Sequence, residues 1–243
     1  MKLAKYLLVI ALVIMLAFAL TACESAVEDE PAPPTTVEEP AVDNTPDPTQ
    51  GADLHDPGVS VTDWNVALNY LKEGNERYIR NQTINRDAFA SDRNIIKDGQ
   101  KPFASILSCA DSRVAPELYF DQKPGDIFIV RNAGNIADTT AVGSFEFSVA
   151  ALEVPLIVVV GHSACGAVKG ALGDGGYPAP LQSILDFIAP NVAGYTLDDL
   201  DAATTDNVKA QMEILKNDEV IKGAGITVVG AIYDIGTGKI TWL

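Results

Sequence analysis

Two short stretches of this sequence concentrate side chains that bind metals. The first is Cys109-Ala110-Asp111-Ser112-Arg113, and the second is His162-Ser163-Ala164-Cys165-Gly166. Each follows a short β-compatible run, and open α/β sheets bind ligands at the carboxyl ends of their strands, so both stretches are expected in one crevice. Residues i and i+2 leaving a strand point the same way, which sets Cys109 and Asp111 on one side. Residues i and i+3 in a first helical turn share a face, which brings His162 and Cys165 together. Two thiolates, an imidazole and a carboxylate at tetrahedral spacing form a zinc site, with one Zn²⁺ for each chain. Taken singly, each cysteine reads as a small core residue and the histidine as a helix cap. Two free cysteines outside the cytoplasm could also pair as a disulfide. The set of four favours zinc.

Other chemistries fail on particular residues. Gly161 to Gly166 has the spacing of a phosphate-binding loop, but Ala167-Val168 stands where Lys and Ser/Thr would bind phosphate and Mg²⁺. Gly161-His162-Ser163-Ala164-Cys165 lacks the closing Gly of a nucleophile elbow. No Cys-x-x-Cys redox pair occurs.

The elements that must hold these residues are legible from periodicity. Thr62 is a plausible helix cap, and Trp64, Leu68, Leu71 and Tyr78 then mark one helical face. Short β-compatible runs cover 103–108, ending at Cys109, and 126–130, after the turn signal Lys123-Pro124-Gly125. Asp138 can cap a helix that carries Val142, Phe145, Val149 and Leu152 on one face. The run 155–160 is apolar on both sides, as a central parallel strand should be. A helix from about Ser163, a polar helix over 207–216, a strand over 226–232 and a hairpin partner over 239–242 complete the order. Strands alternating with helices predict an α/β fold, a mostly parallel central sheet with helices on both faces. Gly236-Thr237-Gly238 should turn the last pair into an antiparallel C-terminal edge.

The N-terminal part of the chain has a different character. Lys2 and Lys5 precede an uncharged apolar run, and Leu20-Thr21-Ala22-Cys23 ends it with small residues before a cysteine. This arrangement predicts a signal peptide over 1–22. Its ending resembles a bacterial lipobox, which implies that Cys23 is lipidated and starts the mature chain; a plain signal peptide or an uncleaved anchor are the alternatives. Two or three acyl chains, each methylene contributing about 0.8 kcal/mol, would hold the protein on a membrane. Residues 24–60 carry ten acidic residues, seven prolines and no Lys or Arg. With Cys23, the segment 23–60 therefore reads as a disordered tether, reaching on the order of 30–40 Å. It contains His55, so Cys109, Cys165 and His162 account for the remaining cysteine and histidine ligands. The whole chain has a formal net charge of −16, which argues against a nucleic-acid partner, whose phosphates it would repel. The expected folded domain spans 61–243.

Beyond the two metal-binding stretches, Glu73-Gly74-Asn75-Glu76-Arg77-Tyr78, the run 121–128, Arg131-Asn132-Ala133-Gly134-Asn135 and Asn207-Val208-Lys209-Ala210-Gln211 complete a recognisable pattern. The sequence resembles the β-class carbonic anhydrases over roughly residues 60 to 243. The resemblance implies zinc-dependent hydration of CO2 to bicarbonate and a proton, through hydroxide on zinc. It implies that Cys109, His162 and Cys165 stay on the metal while Asp111 either fills the fourth position or swings to Arg113 and leaves that position to water. Gln100 would donate a hydrogen bond to substrate. Phe128, Ala133, Phe147 and Gly166 would line a narrow apolar pocket, partly from a neighbouring subunit. A homodimer or assembly of dimers is implied, and the lipid anchor makes the expected location extracytoplasmic on a bacterial membrane, in the periplasm or at the cell surface. Members inhibited by bicarbonate have Trp three residues before the first Cys; Ile106 stands there instead, so that regulatory site is not expected. Hydrolysis of CS2 or COS on the same fold is the alternative reaction. A non-catalytic zinc-binding lipoprotein is the alternative outside enzymes, against which the total of two histidines weighs.

Overall fold

The computed structural model describes residues 55–84 and 89–243, without the side chains of 89–92. The expected signal peptide, Cys23 and the expected tether up to residue 54 lie outside the described residues. Among the described residues, no helix is long and apolar enough to cross a membrane.

The first helix, α1 (Trp64–Ile79), is capped by Asp63, whose carboxylate accepts from Asn65 N–H, one residue later than the Thr62 cap expected from the pattern. A short α2 (Phe89–Ile96) precedes strand β1 (Ala104–Cys109). Then follow α3 (Pro116–Tyr119), β2 (Ile127–Asn132), α4 (Thr139–Ala150) and β3 (Leu156–His162). Asp138 caps α4 as expected, accepting from Ala141 N–H. The remaining elements are α5 (Gly166–Ala171), α6 (Ala179–Ile188), α7 (Leu200–Asn217), α8 (Glu219–Gly223), β4 (Thr227–Tyr233) and β5 (Ile240–Trp242).

The strands form one sheet in the order β2-β1-β3-β4-β5. The first four are parallel and β5 runs antiparallel to β4. The chain moves from β1 to one edge and then returns to β3 on the other side of β1. That reversal is the topological switch point at which such sheets open a crevice at their carboxyl ends.

Alternation along the central strands divides the core into two layers. Ile106, Val158 and Val160 face α1 and α3, packing with Leu71, Phe103 and Phe120. Leu107, Ile157 and Val159 face α4, α7 and α8, packing with Phe145, Val208 and Leu215. Residues 156–160 are fully buried, so each large side chain there contributes roughly 1.5–3 kcal/mol relative to exposure.

The Glu73-to-Tyr78 motif knits this scaffold together. Gly74 packs so closely on α3 that an added Cβ would overlap the Phe120 carbonyl. Asn75 donates to Tyr119 O at 2.9 Å and Gly238 O at 2.8 Å, and accepts from Ile240 N–H at 2.9 Å. One buried amide thereby ties α1 to α3 and to the β4–β5 hairpin.

Folded structure begins earlier than the composition suggested. His55, expected in the tether, is buried against Phe103 and Tyr70 and bonded to Asp126. Pro57 is buried as well. A single His and a single Pro within an acidic, Pro-rich run do not alter its average character, which is why composition placed the boundary at 61.

Candidate metal centre

Cys109 is the last residue of β1 and His162 the last of β3, adjacent strands on either side of the switch point. After His162 the chain turns through Ala164 at φ 55°, and Cys165 occupies the position directly before α5. His162 and Cys165 thus meet across a left-handed turn between strand and helix; the shared helical turn expected from their spacing does not form. Their ligand atoms and that of Cys109 all lie within 4.8 Å of one another, and all three residues are buried. Zinc–sulfur bonds near 2.3 Å and zinc–nitrogen bonds near 2.0–2.1 Å give a tetrahedron with edges of about 3.3–3.8 Å, which this cluster can close to.

The protonation pattern fits a metal. His162 Nδ1 lies 2.9 Å from the Ser163 carbonyl, an obligate acceptor, so Nδ1 carries the proton and Nε2 carries the lone pair. Nε2 is buried without a hydrogen-bond partner, a costly arrangement that a metal bond removes. The Cys109 thiol is drawn down, chiefly by a hydrogen bond from Cys165, with burial opposing. The Cys165 thiol moves up because it donates to that neighbouring thiolate. The Gly134 N–H adds a contact of 3.4 Å to Cys109 Sγ.

Asp111, expected among the four metal-binding residues, is not part of the close cluster. Arg113 grips it in a fork, with Nε to Oδ1 at 2.9 Å and a terminal nitrogen to Oδ2 at 2.7 Å. The Arg113 backbone N–H adds a third bond to Oδ1 at 3.0 Å. These donors hold the carboxyl well below the usual carboxylate range. Of the two positions left open for Asp111, the structure shows the Arg113-paired one.

Several residues without an assigned role shape the centre. Arg131 donates to the carbonyls of Cys109 at 3.0 Å and Asp111 at 2.7 Å, pinning the loop that carries both. The Asn132 side chain bridges its own loop, bonding both the N–H and the C=O of Ile136. From α7, Asn207 donates to Gly134 O and Gln211 accepts from Ala137 N–H, so two buried amides aim the Gly134 N–H at the sulfur. These residues sit inside the quoted motifs, but a motif match says nothing about which backbone group each one holds.

The expected substrate-binding residues fall into two groups. Ala133 follows Asn132, the strand partner of Cys109, and Gly166, which ends the second metal-binding stretch, opens onto free space. Phe128 and Phe147 face each other at the β2 edge with ring centroids 6.2 Å apart, Phe147 being 51% exposed. Phe128 pairs with Ser105, four residues and about 13 Å down the strands from the Cys109 end. Gln100 precedes the opposite end of β1, which alone spans about 16 Å.

A family model described as carbonic anhydrase matches residues 104–240. Carbonic anhydrase 2 of Mycobacterium tuberculosis is 39% identical over 186 residues, covering 72% of this chain and 90% of that protein. The carbonic anhydrase of Mycolicibacterium smegmatis is 36% identical over 188 residues, covering 72% and 91%. Among solved structures, a tetrameric β-carbonic anhydrase of Sordaria macrospora superposes with a TM-score of 0.58 at 30% identity, covering 74% of this chain and 96% of that one. A Coccomyxa β-carbonic anhydrase in complex with acetazolamide gives 0.57 at 27% identity, covering 75% and 87%. Motif pair, sheet topology and relatives agree: the chain belongs to the β class of carbonic anhydrases, zinc enzymes of CO2 and bicarbonate.

Proposed function

We propose that Cys109, His162 and Cys165 hold the zinc ion and that Asp111, clamped by Arg113, keeps the fourth position open for the hydration of CO2. The observation that carries this reading is the unpartnered, buried Nε2 of His162 beside two thiols, next to a carboxylate already committed to a guanidinium. Bound there, zinc supplies Lewis acidity that brings the ionisation of a water molecule to near neutral pH.

The chain's own residues do the rest. Two thiolates neutralise a dication, and a third anionic ligand would leave the centre negative and closed. Arg113 offsets the Asp111 charge through a bidentate pair and draws it away. Oδ1 already accepts two N–H bonds, whereas Oδ2 accepts one from Arg113 and keeps a lone pair. That lone pair can accept a hydrogen bond from the attacking oxygen and orient it toward CO2.

We further propose that the working unit is a homodimer or an assembly of dimers. Gln100 and Phe128 lie too far along β1 and β2 to serve the centre of their own chain, and β2 forms a half-buried apolar edge of Ile127, Phe128, Ile129 and Val130. A neighbouring copy laid along this edge can receive both residues. The lipobox-like run ending at Cys23 supports an enzyme lipid-anchored outside the cytoplasm.

Metal analysis and stopped-flow CO2 hydration on the wild type and Cys165→Ser test the assignment. Stoichiometric zinc with rapid hydration in the wild type, and loss of both in the variant, is the expected result. Stoichiometric zinc without CO2 turnover, but with turnover of CS2 or COS, would overturn it.

A further inference from the structure

His55 is a buried titratable residue that takes no part in the metal centre, and it touches the residues that lead into β1 and β2, bonding to Asp126 and packing on Phe103. Its Nδ1 meets Asp126 Oδ1 at 2.8 Å and its Nε2 meets Val59 O at 2.9 Å. Its ring packs edge-on against Phe103, with centroids 5.0 Å apart. Asp126 is 1% exposed and spends its second oxygen on Lys123 N–H, while its carbonyl accepts from Phe103 N–H. Phe103 leads into β1 and Asp126 into β2. A second tie comes from Lys101, whose Nζ donates to Gly58 O at 3.0 Å. Pro57 and Gly58 line a depression of about 350 Å³ together with Asp98, Gly99 and Gln100.

We propose that the His55–Asp126 pair is a positioning device for the reaction: it clamps residues 55–59 against the loop before β1 and so fixes the presentation of Gln100. The inference rests on the reading of Gln100 as a substrate-binding group delivered to a neighbouring copy. Residues 55–59 precede the stretch matched by the family model, which begins at 104. The root of the N-terminal segment is thus part of the substrate-binding apparatus. Without the imidazole, Asp126 Oδ1 loses its buried partner and Phe103 gains a cavity, both of which loosen the packing under the 98–103 loop.

The test uses the full-length protein and its His55→Ala, His55→Asn, Gln100→Ala and His55→Ala/Gln100→Ala variants. Asn places an N–H donor near the position of Nδ1 and so keeps a bond to Asp126. His55→Ala is expected to lower kcat/KM about 10- to 100-fold, the upper figure being the cost of a 1 Å misplacement caused far from the chemistry. Zinc content should stay at the wild-type level, and His55→Asn should recover most of the loss. The double variant should be no slower than Gln100→Ala alone, because a positioning residue has nothing left to position. Backbone hydrogen exchange over 98–103 should speed up in His55→Ala while exchange over 156–162 stays at its wild-type rate. Independent, additive losses in the double variant, or unchanged exchange over 98–103, would overturn the proposal. Should the wild type show no CO2 hydration, the functional reading fails on its own, and the exchange comparison still decides whether the clamp holds this loop.

Discussion

At the scale of single residues, the centre depends on which groups hold which. Arg113→Ala frees Asp111 to move onto the metal, and we expect kcat/KM to fall 10- to 100-fold, the usual cost of removing a group that orients a metal-site residue. Zinc content should remain near one per chain, which metal analysis alongside the kinetics would check. The sign of the pH effect follows from the depressed carboxyl. A group whose folded pKa lies below its unfolded value stabilises the fold above the unfolded value of about 3.9, and that contribution disappears only as pH falls through the lower folded value. Asp111 therefore stays ionised from pH 6 to 9, and titration of this carboxyl cannot cause any activity change there. An Asp111 carboxyl resonance that titrates between pH 6 and 9, followed by NMR, would contradict this assignment. Residue types and spacing were enough to single out Cys109, Asp111, His162 and Cys165, and the family resemblance added Arg113 as the partner of Asp111. Arg131, Asn207 and Gln211 were not singled out, because they act on backbone carbonyls and N–H groups whose positions exist only in the folded chain.

At the scale of elements, the strands that carry the ligands were legible because they are short, largely apolar runs, and the α4 cap because Asp138 stands directly before an amphipathic run. The ends were less so. β3 continues through Gly161 and His162, since backbone pairing to Ile232 and Tyr233 of β4 extends the strand past its last apolar side chain. The close approach of α1 to α3 has no periodic signature at all; it rests on Gly74. Gly74→Ala should destabilise the fold by about 3 kcal/mol through overpacking against the Phe120 carbonyl, lowering Tm by roughly 6–12 °C in calorimetry. Gly134 is constrained twice, by φ +75° and by Ile188 Cδ1 only 2.5 Å from an added Cβ. Gly134→Ala should accordingly displace the N–H that faces Cys109. Expected results are faster zinc loss to a chelator and a shifted sulfur-to-metal charge-transfer band in the cobalt-substituted protein. An unchanged spectrum would mean that this N–H does not act on the sulfur.

At the scale of the whole molecule, the sheet has a metal centre at one end and substrate-binding candidates at the other, separated by the length of β1. The sequence pattern named both groups of residues, but the distance between them emerges only from the fold. If a neighbouring copy supplies Gln100, two impaired variants should complement each other. Co-refolding Cys109→Ser with Gln100→Ala should form hybrid dimers in which one site has both an intact cysteine and an intact glutamine. Random pairing restores about a quarter of wild-type activity per protomer in a two-fold symmetric dimer. Activity that stays at the level of the separate variants would place Gln100 in the service of its own chain or of none.

The most direct test of the central claim is stopped-flow CO2 hydration from pH 6.5 to 9 on the zinc-loaded protein, with Asp111→Asn measured beside it. A rate that rises with pH in the wild type and collapses in the variant, at equal zinc content, is the predicted result. A variant as fast as the wild type across the range would contradict a centre in which Asp111, held by Arg113, keeps the fourth position open and orients the attacking oxygen.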